Sequence, residues 1–271
     1  MGVYAVEMLF EEPPSISRLD FLAAVRRFAP TAELLGGDAP EGTLAILQPE
    51  YSVSYAEGKS LPAQVAFFPT TKAPDVKTFE SALQQSWGFV GAAEAVHKAT
   101  SCALITDLMA GPLEPWQRLS AFQKVLDGAL HLLRPVALYW QAADCIVDPA
   151  SYRRAIPRDY PDPFSGAINV RLFRVEGSEE GDTIMDTRGL DVFGLPDLQC
   201  HFRGLDPKAV ASMLYNTAAY VLEHGDVIED GHTVAGLSST DRWQCQHEES
   251  LAAPERTVLD INPGKPFAAG R

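Results

Sequence analysis

The sequence predicts an α+β fold, with mixed sheets flanked by helices and arranged as two packed subdomains. Strand-like alternation and helix-like spacing of apolar residues occur together in both halves of the chain. A proline-rich stretch near the middle separates the halves. The 271 residues are 46% apolar and 21% charged, which is enough apolar sequence to bury a core without disulfides or metals.

The first half contains helices and strands with recognisable boundaries. Ser17 and Asp75 are typical N-caps, and Pro115 suits the first turn of a long helix. The predicted elements, in chain order, are strand 3–10, helix 17–28, strands 43–47 and 64–68, helices 75–87 and 92–98, strand 101–108, helix 115–133 and strand 136–140. This order resembles a ferredoxin-like split unit with one added helix and strand.

The second half follows a proline-rich junction over residues 149–164, so we expect subdomains over 1–148 and 165–271. Asp206 and Pro207 form a favoured helix start, and Asp230-Gly231 indicates a tight hairpin between 227–228 and 233–234. The predicted elements are strands 167–175, 183–187 and 198–202, helix 207–224, that hairpin, and two short strands within 241–250 and 256–264.

The charge balance excludes some classes of partner. Lys and Arg number 22 against 36 Asp and Glu, which gives a net charge of -14. Such a chain repels phosphate backbones and anionic membrane surfaces, so we expect no nucleic-acid and no membrane partner. No apolar run approaches the about 18 residues of a spanning helix. A basic protein would instead be attracted.

The cysteines indicate a reducing compartment. Cys102, Cys145, Cys200 and Cys245 are widely spaced and form no CxxC pair, which is neither a zinc pattern nor a disulfide scaffold. We expect buried free thiols and, with no targeting segment visible at the start, a cytoplasmic protein. The sequence indicates no metal and no cofactor.

Two acidic clusters are the candidate binding sites. The first is Glu176, Glu179, Glu180 and Asp182, and the second is Asp226, Glu229 and Asp230, beside His224 and His232. Each lies on a predicted turn, where carboxylates are usually solvated. The functional interpretation is a docking surface for a basic partner. The alternative for the second cluster is a metal site or a carboxylate–histidine pair for acid–base chemistry.

One stretch is specific to a family. The sequence TRGLDVFGLPDLQ over 187–199, followed by the helix 209–222 and the segment 225–236, resembles the bacterial domain-of-unknown-function 4261 family. The resemblance covers roughly residues 100–236. In the Gly-Leu-Pro turn, Gly194 relieves the backbone and Pro196 fixes the entry into the next strand. The motif contains no nucleophile, base or ligand.

This resemblance implies a bacterial immunity protein of the kind that is encoded beside a type VI secretion toxin. The principal hypothesis is therefore a non-enzymatic protein that binds and neutralises a cognate effector, with a nuclease as the expected toxin. The alternative is a small hydrolase or metal-binding enzyme that uses His224, Asp226 and His232. A small-ligand sensor is a third hypothesis.

Overall fold

The computed structural model describes residues 4–36, 42–54, 58–155, 161–175 and 181–270. Their α+β architecture contains six α-helices and two sheets, which confirms the predicted fold class. The chain divides into two compact units, Met1–Ala167 and Ile168–Arg271.

The N-terminal unit is built on a seven-stranded sheet whose strand pairs are all antiparallel. Its strands are β1 Ala5–Phe10, β2 Glu33–Leu34, β3 Leu44–Ser54, β4 Ser60–Thr70, β5 Ser101–Leu108, β6 Ala137–Trp140 and β7 Cys145–Val147. Their order across the sheet is β2-β3-β4-β5-β1-β6-β7. The helices are α1 Arg18–Val25, α2 Glu80–Gln85, α3 Ala92–Lys98, α4 Pro115–Leu132 and α5 Pro149–Ala155. The predicted order of elements along the chain is observed.

The local signals behind these helices are present as expected. The Ser17 hydroxyl accepts a hydrogen bond from the Asp20 N–H at the start of α1. The Asp75 carboxylate accepts one from the Lys77 N–H at the start of a 3-10 turn, Val76–Phe79, which leads into α2. Helix α4 packs closely on α1, because a Cβ atom at Gly128 would lie 2.6 Å from the Cα of Val25. Strands β2 and β7 and helix α5 are additions to the predicted elements, and α5 lies within the stretch that was expected to be a junction.

The C-terminal unit is built on a six-stranded sheet with one parallel pair. Its strands are β8 Asn169–Arg174, β9 Thr183–Arg188, β10 Asp197–Phe202, β11 Thr233–Ala235, β12 Arg242–Glu249 and β13 Thr257–Asn262. The order is β11-β12-β13-β10-β9-β8, and among the described strand pairs of this sheet only β10 and β13 are parallel. Helix α6, Pro207–His224, begins at the predicted Asp206 cap and contributes apolar side chains such as Val210, Leu214 and Val221 to the core.

The predicted hairpin at Asp230-Gly231 is wrong in its strand partners. Residues 227–228 form no strand, and β11 pairs with β12 instead. The Asp-Gly pair does sit at a turn, because Gly231 has φ +85° and the His232 N–H donates to the Glu229 carbonyl oxygen at 3.0 Å. The turn therefore redirects the chain after α6 rather than joining two adjacent strands.

Candidate functional site

The second acidic cluster lies on the segment 225–231, which we call the acidic loop. It connects α6 to β11. Gly225 ends α6 with φ +81°, and Gly231 at the other end of the loop has φ +85°. Glycine adopts these positive φ angles readily because it has no Cβ atom, and the chain changes direction at both positions. The loop exposes three carboxylates: the side chain of Asp226 is 46% exposed, that of Asp230 is 62% exposed and that of Glu229 is 82% exposed. The loop is a concentrated patch of negative charge.

His247 on β12 holds two of these carboxylates. Its backbone N–H donates to Asp230 Oδ1 at 2.7 Å, and its Nδ1 lies 2.9 Å from the same oxygen. Its Nε2 lies 3.4 Å from Asp226 Oδ1. The backbone hydrogen bond and the imidazole lower the pKa of Asp230, so this carboxylate stays charged to more acidic pH. The sequence interpretation omitted His247, because it is 17 residues from Asp230.

The other histidines have different neighbours. The Glu229 N–H donates to His232 Nδ1 at 3.2 Å, and His232 Nε2 lies 3.6 Å from Glu229 Oε2. His224 Nδ1 lies 3.0 Å from the Tyr220 carbonyl oxygen, and its ring stacks on that of Tyr220. Thus His224, Asp226 and His232 each contact a different group. Within the described ranges, no cluster of three His, Cys, Asp or Glu side chains could hold a metal ion.

The first acidic cluster is described only at Asp182. Glu176, Glu179 and Glu180 lie outside the described residues. The expectation that Asp182 projects into solvent is wrong, because its side chain is buried and lies 2.9 Å from Arg203 Nε. Burying a charged carboxylate costs free energy unless an opposite charge compensates it, and the guanidinium of Arg203 is that opposite charge. Whether the first cluster binds a partner stays a prediction.

Asp197 of the family-specific stretch belongs to a buried ionic network that also includes Asp186, Arg171 and Arg256. Asp186 accepts two hydrogen bonds from Arg171, at 2.9 and 2.5 Å, and one from Arg256 Nη2 at 2.8 Å. Arg256 Nε also donates to Asp197 at 3.0 Å. Burial raises the pKa of Asp197 to about 6, and Arg256 opposes that increase. The Arg256 guanidinium thus bridges two adjacent strands through their carboxylates.

Neutral groups also donate hydrogen bonds to Asp197. Its Oδ1 accepts from the Thr187 hydroxyl and from the Leu190 N–H, each at 3.1 Å. Gly194 follows in the left-handed region, with φ +76°, as the sequence indicated. Thr187, Asp197 and Gln199 of this motif are buried and hydrogen-bonded, so they stabilise the unit, whereas Asp191 is exposed.

A groove lies between α6 and β11, next to the acidic loop. Its cavity has a volume of about 420 Å³. One wall is the face of α6 that carries Met213, Asn216, Thr217 and Tyr220, and the other comprises the loop residues 227–228 and the segment 232–236. The sequence interpretation missed this groove, because it depends on β11 pairing with β12 and so leaving a gap beside α6.

Comparisons with known proteins agree with the position of the family-specific stretch. Residues 186–262 match the family model described as "Domain of unknown function (DUF4261)". This match supports the resemblance to that family and falls within the C-terminal unit, from β9 to β13. No curated protein gives a significant match. No solved structure does either. None of the helices in the described part of the chain is long and apolar enough to cross a membrane.

Proposed function

We propose that this protein is a non-enzymatic immunity protein, which binds a cognate type VI secretion toxin. It neutralises the toxin by occluding the surface that binds the toxin's substrate. A nuclease is the toxin class that best suits the charge of the chain. Nucleases bind phosphates with basic side chains, and an acidic inhibitor replaces those phosphates. The single observation that carries the proposal is the acidic loop, whose three exposed carboxylates project from one short segment.

The contacts of the acidic loop support this role. Asp230 is held by both the backbone and the imidazole of His247, and the turn at Gly231 is closed by the His232 N–H. Side chains that are already ordered lose less entropy when a partner binds. Exposed charges also accelerate the encounter between oppositely charged proteins. Fast and specific capture is what an inhibitor of a lethal enzyme requires.

The test is co-expression of this chain with the product of the neighbouring gene, followed by a pull-down and a growth-rescue assay. The informative variant is the double reversal Asp226→Lys and Glu229→Lys, which leaves the bond between Asp230 and His247 in place. We expect association to slow by about tenfold and to lose part of its salt dependence. Stopped-flow binding at several salt concentrations measures both effects.

The matched control is Glu249→Lys with Glu255→Lys, since both side chains are exposed in the same unit and the net charge changes equally. Exposed charges contribute about 0 to 1 kcal/mol each to stability, so both double variants should remain folded. A folded acidic-loop variant that associates and rescues growth as the control does would remove the loop from the binding surface.

A further inference from the structure

The groove beside α6 has one wall that is an open sheet edge. Strand β11 is the terminal strand of its sheet, and its paired neighbour is β12. The Cys245 N–H donates to the His232 carbonyl oxygen at 2.8 Å, which makes 232 and 245 a hydrogen-bonded pair. Because such pairs alternate along antiparallel strands, the N–H and C=O of Thr233 point away from β12. This edge is a template for another strand.

The opposite wall offers contacts for side chains. Tyr220 on α6 and Val227 on the loop are large apolar residues that stay about half-exposed. Asn216 is exposed on the same wall of α6, and Met213 and Thr217 form the floor as buried residues. A groove that combines an open strand edge with apolar and amide side chains suits an extended peptide, whose alternate side chains point to the same side.

The charges next to the groove indicate which peptide fits. Asp226, Glu229 and Asp230 lie on the loop that contributes Val227 and Ile228 to the groove wall. A lysine or arginine at that end would meet exposed carboxylates. A second copy of this chain, with a net charge of -14, would instead bring like charges together. Charge complementarity therefore favours a basic segment from a different protein.

We propose that the groove between α6 and β11 binds an extended, basic segment of the partner protein, which adds to β11 as a further strand. Its backbone pairs with Thr233 and Ala235, its apolar side chains enter the cavity beside Tyr220, and its Lys or Arg side chains meet the acidic loop. The identification of that partner as the toxin rests on the proposed function, whereas the binding mode does not.

The first test uses the full chain and a synthetic probe, a short peptide of alternating valine and lysine. Hydrogen exchange is measured with and without the peptide. We expect the backbone N–H groups of Thr233 and Ala235 to exchange more slowly when the peptide is bound. In NMR spectra, the resonances of the Tyr220 ring should shift. A peptide with glutamate in place of lysine should bind at least about tenfold more weakly. A lysine peptide that is methylated on every backbone nitrogen should give no protection, because it has no N–H donor on either edge and its methyl groups prevent close approach to β11.

Two substitutions test the groove without changing its charge. Asn216→Trp fills the groove from an exposed position, and Tyr220→Ala removes the exposed aromatic ring from the groove wall. Each substitution should lower the affinity for the peptide by about tenfold. Leu251→Ala is the matched control, since Leu251 is exposed in the same unit and does not line the groove. Circular dichroism checks that each variant folds. Equal peptide binding by all three variants, or protection equally strong with the glutamate peptide, would overturn the inference.

Failure of this inference can be distinguished from failure of the proposed function. If the toxin is captured while Asn216→Trp and Tyr220→Ala bind it as the wild type does, the groove is not the site and the immunity function stands. If the lysine peptide protects β11 while the toxin is neither bound nor neutralised, the groove stands and the immunity function fails. Self-association at β11 without peptide, detected by sedimentation, would replace the basic segment with a second copy and overturn the inference.

Discussion

At the scale of single residues, Asp127 on α4 is a carboxylate in an unfavourable environment. Burial raises its pKa to about 7. The folded state thus binds a proton at Asp127 more tightly than the unfolded chain does, whose carboxyl titrates near pH 4. Between about pH 4 and pH 7 the folded state holds more protons at this site, so its contribution to the free energy of unfolding decreases as the pH rises.

We therefore expect Asp127→Asn to stabilise the protein at pH 8 by more than about 1 kcal/mol, and to have little effect at pH 4. Urea unfolding at both pH values measures the difference. Glu223→Gln is the control, because Glu223 is an exposed carboxylate on a helix. If both variants show the same pH dependence of stability as the wild type, Asp127 does not titrate in this range.

The four cysteines make a second prediction at this scale. All are free and buried, and burial raises the pKa of Cys102 and Cys145 to about 12 and that of Cys245 to about 11. Burial also raises the pKa of Cys200. Since the thiolate is the reactive form, native Cys102 and Cys200 should react with a thiol reagent at least about a hundredfold more slowly than in guanidinium. Fast native titration of all four thiols would contradict the packing.

At the scale of elements, Arg256 joins β9 to β10 just before the chain enters β13. Arg256→Met leaves Asp186 paired with Arg171 but leaves Asp197 with Arg188 at 3.9 Å. We expect a loss of about 3 kcal/mol in the free energy of unfolding, because removing one partner of a buried pair leaves a charge uncompensated. Arg256→Lys should recover only part of it, since an ammonium group cannot bridge both carboxylates as the fork does.

The control for this prediction is Arg174→Met, which removes an exposed arginine from neighbouring β8. Chemical unfolding at neutral pH compares the three variants. A loss below about 0.5 kcal/mol for Arg256→Met would show that the bridge contributes no more than a surface contact.

The same elements show which features a sequence reveals. Strand 101–108 and helix 207–224 were predicted to the residue, because their caps, prolines and apolar periods are local. The contacts of Arg256 with Asp186, of His247 with Asp230 and of β11 with β12 join segments that are distant along the chain. Such pairings depend on the sheet order. The acidic character of the second cluster was therefore predictable, while its support by His247 and the groove beside it were not.

At the scale of the whole molecule, the excess of acidic residues has two separate uses. Asp186, Asp197 and Asp182 are paired with arginines inside the C-terminal unit, so the opposite charges largely cancel in the long-range field that a partner senses. Asp226, Glu229 and Asp230 are exposed and contribute to the long-range attraction. The net charge of -14 already counts the arginines of these pairs, so it is carried by the remaining residues, including the acidic loop.

The single parallel pair of the C-terminal sheet has a consequence for synthesis on the ribosome. Strand β13 follows β10, β11 and β12 in the sequence, yet it lies between β10 and β12 in the sheet. While α6, β11 and β12 are being translated, one edge of β10 remains unpaired, and unpaired strand edges promote aggregation. This edge of β10 becomes paired only after residue 262, the end of β13, has left the exit tunnel. A stalled or truncated product that ends before β13 should therefore be a target for chaperones and proteases.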